Sequence, residues 1–399
     1  MNGKTPTAIA CEAAVIGAGP AGLTAALLLK RAGIDTVLVG PPAPADFRTS
    51  ALMGGNVAIL REAGVWERCE DEAAPLTSLH IVDDTGRLIR APEVGFSAGE
   101  IGEEAFAWNI ANTVLVRALE AAAEDAGLRR IHAVADTASC DVEAVNMFIG
   151  GVNSTTSAII SARLVVAADG RRSVLREAAG IGTREWRYPQ VAFVTNMGHS
   201  RPHLGRSIEF HRESGPFTLV PMPGDQVSIV CVDTPEGAEA LMAMDDDALA
   251  REFERRSHRV LGRMNAVSGR ARFPLAGLVA DEPAANRVML AGEAAHVVPP
   301  IGAQGLNLGI RDAAAAAGVA ATHRDDPGSD AAMSDYRRRR SGDIESRSLM
   351  TDMLNRSLLS PLLPAQLARG VGLAALRDIG PLRRLFMREG MDPALGSRA

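Results

Sequence analysis

Short, uninterrupted apolar runs alternate with Ala- and Leu-rich stretches along much of the chain. Ala13-Ala-Val-Ile16 is such a run, the pattern of a strand buried on both faces of a parallel sheet. Residues 23–31, rich in Ala and Leu, read as a helix, and Thr36-Val-Leu-Val39 as the next strand. These three make a βαβ unit. The buried-strand pattern returns at Leu164-Val-Val-Ala-Ala168 and at Val288-Met-Leu-Ala291, and an Ala-rich helix is expected from about Leu306. Shorter strand-like runs fall at 79–82, 207–210, 217–220 and 227–231. A helix with one buried face, carrying Leu249, Phe253 and Val260, is expected over 248–263.

Chemistry enters where the strands end. Gly17-Ala-Gly19-Pro-Ala-Gly22 joins the first strand to the first helix. In such a loop the first glycine permits the turn and the second lets backbone approach a pyrophosphate. The third lets helix and strand pack closely, and the helix N-terminus faces the anion. With a strand on either side of the helix, this is a dinucleotide-binding fingerprint. The acidic residue expected at the end of the second strand is absent; Gly40 stands there, before Pro41 and Pro42. A second strand end carries Asp169-Gly170, with Ser173 as a helix-capping residue. A third carries Gly292-Glu293, followed by a loop through His296, Pro299, Pro300, Gly302, Gln304, Gly305 and Asn307. That loop offers many backbone N–H groups, few side chains to obstruct a flat ring, and a helix N-terminus for a developing anion.

These three motifs, in this order and separation, resemble the FAD-dependent aromatic hydroxylases typified by para-hydroxybenzoate hydroxylase. Within that group the chain most resembles the UbiH/VisC-type hydroxylases of ubiquinone biosynthesis. Phe47-Arg48-Thr-Ser-Ala-Leu-Met53, Gly215-Pro-Phe-Thr-Leu-Val-Pro221, Arg272-Phe-Pro274-Leu and Asp335-Tyr-Arg-Arg-Arg-Arg340 extend the resemblance over nearly the whole chain. It implies an α/β fold: a Rossmann-like FAD-binding domain, an inserted mixed-sheet substrate domain and C-terminal helices. The expected FAD-binding domain is discontinuous, over 10–75, 100–185 and 270–345. The substrate domain takes 76–99 and 186–269, and a helical segment 346–399.

The resemblance also implies roles. Gly17, Gly19 and Gly22 would hold the FAD pyrophosphate. Asp169 and Gly170 would serve the flavin and a passing nicotinamide cofactor. Gly292 and Glu293 would reach the ribityl chain, with Glu where the family usually has Asp. Gly302, Gln304, Gly305, Leu306 and Asn307 would lie beside the flavin ring. Arg48, Asn112 and Arg117 would also touch FAD; as an alternative, Asn112 would simply cap its helix. Pro299 would present its carbonyl near flavin and substrate. Tyr188 and His296 are weak candidates for proton transfer; a packed tyrosine and a histidine bonded behind the loop are the favoured readings. The implied reaction is hydroxylation of an aromatic ring with NADH or NADPH and O2, through a C4a-hydroperoxyflavin. The implied substrate is a small aromatic compound, a ubiquinone precursor that can carry a polyprenyl chain. Two other readings stay open: a flavin-dependent reductase of an isoprenoid or quinone-type substrate, and a non-catalytic FAD-binding subunit of a biosynthetic complex.

Composition narrows the setting. Of 399 residues, 47% are hydrophobic and 23% charged, the balance of a globular protein. The net charge of −6 argues against a general nucleic-acid binder. Cys11, Cys69, Cys140 and Cys231 lack paired spacing, which points to free thiols in a reducing compartment and no zinc site. His199, His203 and His211 show no metal-ligand spacing either, so no metal is expected. The uncharged stretch 13–29 is broken by three glycines and a proline, against a membrane span. The first residues lack a secretory pattern, so a cytoplasmic location is expected. From Arg337 to Ala399 there are 12 Arg against 6 acidic residues. That cationic, Leu-rich tail is either a helical cap on the FAD-binding domain or a surface for the inner membrane or a biosynthetic complex.

Overall fold

The computed structural model describes residues 7–87, 90–150, 158–267, 269–359 and 363–391. Its first layer is a parallel sheet. Thr7–Ile16 pairs in parallel with Ala158–Ala167 on one side and Thr36–Val39 on the other. Val288–Leu290 extends one edge and Arg129–Ile131 the other, both in parallel. Ala13, Val15, Leu38 and Val166 are fully buried, as unbroken apolar runs require. An antiparallel hairpin, Val134–Cys140 and Val145–Gly150, adds to the start of Ala158–Ala167.

Helices complete this half. α1 (Pro20–Arg31) follows the glycine loop, with Pro20 in its first turn where no N–H is missed. α2 (Gly54–Glu62) and α3 (Asn112–Asp125) flank a small antiparallel sheet of Thr49–Met53, Ala107–Ala111 and Ala73–Leu76. α4 (Val174–Ala178) is capped by Ser173, whose Oγ accepts the Arg176 N–H at 3.0 Å.

The second layer is a mixed sheet. Its backbone is the long strand Thr183–His199, paired antiparallel with Ala271–Ala280 and Gln226–Asp233. Pro216–Met222, Arg206–His211, Ser78–Asp83 and Val94–Ser97 continue it outward. One face is covered by α5 (Pro235–Ala243) and α6 (Asp246–Arg256). Phe193, Phe217 and Ile229 from the sheet meet Leu241, Leu249 and Phe253 there. The helix expected over 248–263 thus starts and ends earlier. Asp245 caps the N-terminus through the Ala248 N–H and fixes where the helix begins, while His258 and Arg259, at φ 50° and 56°, end it, so Val260 lies beyond and is 36% exposed.

α7 (Gln304–Thr322) packs along α1. α8 (Asp330–Leu359) passes through position 346 without a break. Its Tyr336 hydroxyl donates to the Leu290 carbonyl at 2.6 Å, pinning it to the parallel sheet. α9 (Leu363–Asp378) and α10 (Gly380–Met391) each begin with a proline in the first turn, Pro364 and Pro381. Met387 of α10 is buried with Val94 and Phe96 at the outer edge of the mixed sheet.

Two glycines show how tightly the nucleotide-type loop is built. A Cβ on Gly22 would sit 1.9 Å from the Gly17 carbonyl oxygen. A Cβ on Gly40 would sit 2.6 Å from the Ala18 nitrogen, so the end of the second strand admits no side chain. Gly22→Ala should therefore destabilise the protein by roughly 3 kcal/mol, at the upper end of overpacking costs. Urea unfolding with a conserved slope would show it; a midpoint equal to wild type would count against this packing.

Candidate functional site

The three loop motifs converge at the C-terminal ends of the parallel strands, where open α/β sheets place ligands. Gly19, Gly170 and Gly305 each face open space, with no atom within 4 Å of an added Cβ. That is a cradle for a ligand held by backbone. α7 has no side-chain cap, so the N–H groups of its first turn are left for another partner. The residue before it, Ala303, is held at φ 53°, a left-handed conformation that costs a non-glycine residue about 1 kcal/mol. Strain of this kind concentrates at functional sites. Two buried acceptors of these motifs, Gln304 Oε1 and Asp169 Oδ1, have no protein partner. Burial pushes the Asp169 carboxyl up, against hydrogen bonds that include the N–H groups of Val174 and Leu175.

Other expected residues assemble around this cradle. Arg48 grips Asp46 through two N–H donors at 2.8 and 2.7 Å and lies over the Phe273 ring, 4.8 Å from its centre. The field of Glu293 acts on it too, so the loop after the second strand and the Gly292–Ala294 turn stand near one another. Asn112 does not cap α3. It donates to Asp46 at 2.8 Å and accepts from Ser50 at 2.7 Å, while Ala111 occupies the cap position. Arg117 pairs with Glu72 at the surface. It lines a groove of about 470 Å³ together with Asp46 and Asn112.

Four of the expected residues are engaged within the protein. The Asn307 amide is fully used inside the protein: Nδ2 donates to Ala51 and Ala303 carbonyls, and Oδ1 accepts from Met53 and Asn56. Only its backbone remains to meet a ligand. The Leu306 side chain packs into the core beneath α1. The Pro299 carbonyl accepts the Ile301 N–H at 2.7 Å, closing a tight turn. Tyr188 is packed, not poised: its hydroxyl accepts from Trp186 and donates to Asp352, both at 2.6 Å. Burial and that carboxylate push its phenol up to about 12, which removes it from proton exchange near neutrality.

His296 lies behind the loop in the least exposed ion cluster of the site. Its Nε2–H donates to Asp312 Oδ2 at 2.7 Å. The same oxygen accepts the Gly292 N–H at 3.0 Å, and Oδ1 accepts from Arg340 Nε at 2.7 Å. Arg340 also donates to Asp343, which pairs with Arg311. Burial alone would raise the Asp312 carboxyl; Arg340, His296 and the Gly292 amide outweigh it and hold it near about 2. Sequence reasoning gave Asp312 and Arg340 no role. The available signal was a carboxylate on the apolar face of an Ala-rich helix, four residues after the buried Leu308. Arg176 was missed likewise. It is buried and donates to the carbonyls of Ala294 and Arg171, tying the second motif to the third.

A family profile described as FAD binding domain matches residues 10–346. The chain belongs to that FAD-binding family. It is 33% identical to the ubiquinone hydroxylase UbiL of Rhodospirillum rubrum, across 94% of this chain and 88% of that one. It is 26% identical to the 3-demethoxyubiquinol 3-hydroxylase of Escherichia coli, across 94% and 97%. The p-nitrophenol 4-monooxygenase PnpA of Pseudomonas putida DLL-E4 superposes with a TM-score of 0.79 at 19% identity, covering 98% of this chain and all of that one, and so shares the fold. The protein is an FAD-dependent monooxygenase, a flavoprotein of the aromatic-hydroxylase type. The open glycines, the uncapped α7 and the orphaned acceptors fit such a cofactor.

Three outcomes are expected. Arg340→Met leaves the Asp312 charge uncompensated and should cost about 3–5 kcal/mol, whereas Asp312→Leu with Arg340→Met should recover part of it; urea midpoints decide. Because the folded carboxyl titrates below the unfolded one, its contribution is present above about pH 4 and lost as pH falls toward about 2. Wild type should lose stability more steeply than Asp312→Asn over that window. Tyr188→Phe, in turn, should lower stability by about 1 kcal/mol yet leave turnover within about twofold; a hundredfold loss of kcat would return Tyr188 to the chemistry.

Proposed function

We propose that the protein hydroxylates the aromatic ring of a ubiquinone precursor, using electrons from NADH or NADPH and one oxygen atom from O2. The observation that carries this reading is the uncapped, strained start of α7 beside open Gly305, a device suited to polarising a bound ring. The substrate class rests on what the full-length relatives are named for. FAD bound there would supply the electrons that activate O2. Gly17, Gly19 and Gly22 would take its pyrophosphate, with the N-terminus of α1 behind them. Glu293 would take the ribityl hydroxyls, and Arg48 would contact the cofactor from across the cleft. The chain carries one dinucleotide fingerprint, so the nicotinamide nucleotide binds elsewhere and in passing. A groove of about 390 Å³ next to Asp169 and Gly170 in sequence, lined by Arg171, Arg172, Arg187 and Trp186 together with Glu177 and Glu185, has an excess of cations and a flat ring that it would use.

The expected polyprenyl chain asks for a lipid surface. Among the described residues no helix is long and apolar enough to cross a membrane. Ile379, just before α10, and Leu382 and Leu385 on it instead form an exposed stripe, each 41–53% accessible, with Arg384 and Arg388 alongside. Such a face suits peripheral contact with an anionic bilayer.

The test is FAD-loaded protein with NADH or NADPH and a series of prenylated phenols and quinols. Incorporation of label from 18O2 into the product, coupled to O2 uptake, is expected. Flavin reduction with an unoxygenated, reduced product would establish a reductase instead. Bound flavin that resists reduction would establish a non-catalytic subunit. In the lipid arm, Leu382→Asp with Leu385→Asp should abolish pelleting with anionic vesicles while turnover of a short phenol persists; undiminished pelleting would refute the α10 face.

A further inference from the structure

The site described so far lacks a group that takes a proton from the substrate, since Tyr188 is locked and His296 lies behind the loop. The mixed sheet carries another candidate on its second face. Along the strand Arg206–His211, Ile208 and Phe210 enter the core beneath α5 and α6. Alternation sends Ser207, Glu209 and His211 to the opposite face. That face turns toward the cofactor-binding half. Thr218 stands opposite Glu209, and Val220, two residues on, packs against Ala51, Leu76 and Ala107 of the small sheet. On the long strand, Asn196 of the same face donates to the Phe47 carbonyl at 2.9 Å, beside Arg48.

Glu209 and His211 form a pair. His211 Nε2 lies 2.8 Å from Glu209 Oε1, and the two side chains are only 9% and 17% exposed. A bond between neighbours two apart on one strand joins no separate elements, so the fold gains little from it. With Nε2–H donated to the carboxylate, Nδ1 keeps its lone pair. That nitrogen is buried and has no protein partner. A carboxylate that fixes the tautomer of a histidine and supports its positive charge is the arrangement of a general base.

We propose that His211, held by Glu209, accepts the proton of the substrate's aromatic hydroxyl. This rests on the hydroxylase reading above and deepens it: the substrate is a phenol or quinol with a free hydroxyl, not its methyl ether. The O–H bond breaks, its electron pair stays on oxygen, and the proton moves to Nδ1. The product is a phenolate beside a His211 imidazolium whose charge Glu209 balances. The electron-rich phenolate ring is then the better nucleophile toward activated oxygen. The proton returns to water after product leaves.

Other charges near the pair are accounted for. Asp83 stands opposite His211 on the neighbouring strand, where it accepts from Thr85 and Ala91. Asp84 pairs with Arg212 and His258, and Glu213 with Arg87. Pro216 and Thr218, from the other flanking strand, bring none.

The test uses FAD-loaded wild type, His211→Gln and Glu209→Gln with 2-farnesylphenol as probe. FAD content and the flavin spectrum report folding. In His211→Gln, kcat should fall about 100-fold, the acidic limb of its pH profile should vanish, and the lost turnover should appear as hydrogen peroxide. In Glu209→Gln the limb should move to lower pH, because loss of the anion weakens the imidazole as a base. An acidic limb and kcat retained in both variants would overturn the role of the pair while leaving the hydroxylase reading intact. Wild type that forms no hydroxylated phenol would overturn that reading, and this role with it.

Discussion

The Asp312 carboxylate sits where three parts of the protein meet: the Gly292 turn, the His296 strand and α8 through Arg340. It is fully buried, and each of its oxygens is engaged. A buried charge is tolerated only when paired and hydrogen-bonded. The position of the turn that carries Glu293 is therefore coupled to the position of a helix from the far end of the chain. Asn307 does similar work at the start of α7, binding it to Ala51, Met53 and Asn56. Between Val298 and Ala303 the loop has no polar side chain with which to bond its own backbone. These two polar anchors hold it instead, and the glycines stay free to face a ligand.

Gly40 illustrates the same economy. Elsewhere among Rossmann-like folds an acidic side chain at this place holds a ribose. Here the strand end presses on Ala18 so closely that no side chain fits. Asp46, a few residues on, is instead held by Arg48 and Asn112 at the edge of the larger groove. The first carboxylate after the strand thus lies in the loop, bonded to a guanidinium.

The elements that formed through local pattern were legible in the sequence. The strand Thr36–Val39, the glycine loop and the Ser173 cap needed only apolar runs, Gly spacing and a capping residue. Family resemblance supplied the cofactor and the convergence of the three motifs. What stayed hidden depended on long-range partners. Asp312 reads as a polar residue in a helix until Arg340 and Gly292 are seen beside it. Tyr188 reads as a reactive phenol until Asp352, 164 residues away, is found on its hydroxyl. The start of α6 turned on Asp245, a cap within a run of aspartates where several positions looked equivalent, and its stop on the left-handed His258 and Arg259. Asn112 misled for a simpler reason: its residue type suits a cap, but the chain turns one residue earlier.

α8 is anchored twice on different layers. Tyr336 fixes it to the end of the parallel sheet at Leu290, and Asp352 and Asn355 fix it to the long strand through Tyr188 and Gln190. At about 1.5 Å per residue these anchors lie about 24 Å apart along one rod. The rod acts as a strut between the two halves. A hinge that swung them apart would have to break the contacts at one end of it, Tyr336 with Leu290 or Asp352 and Asn355 with the long strand.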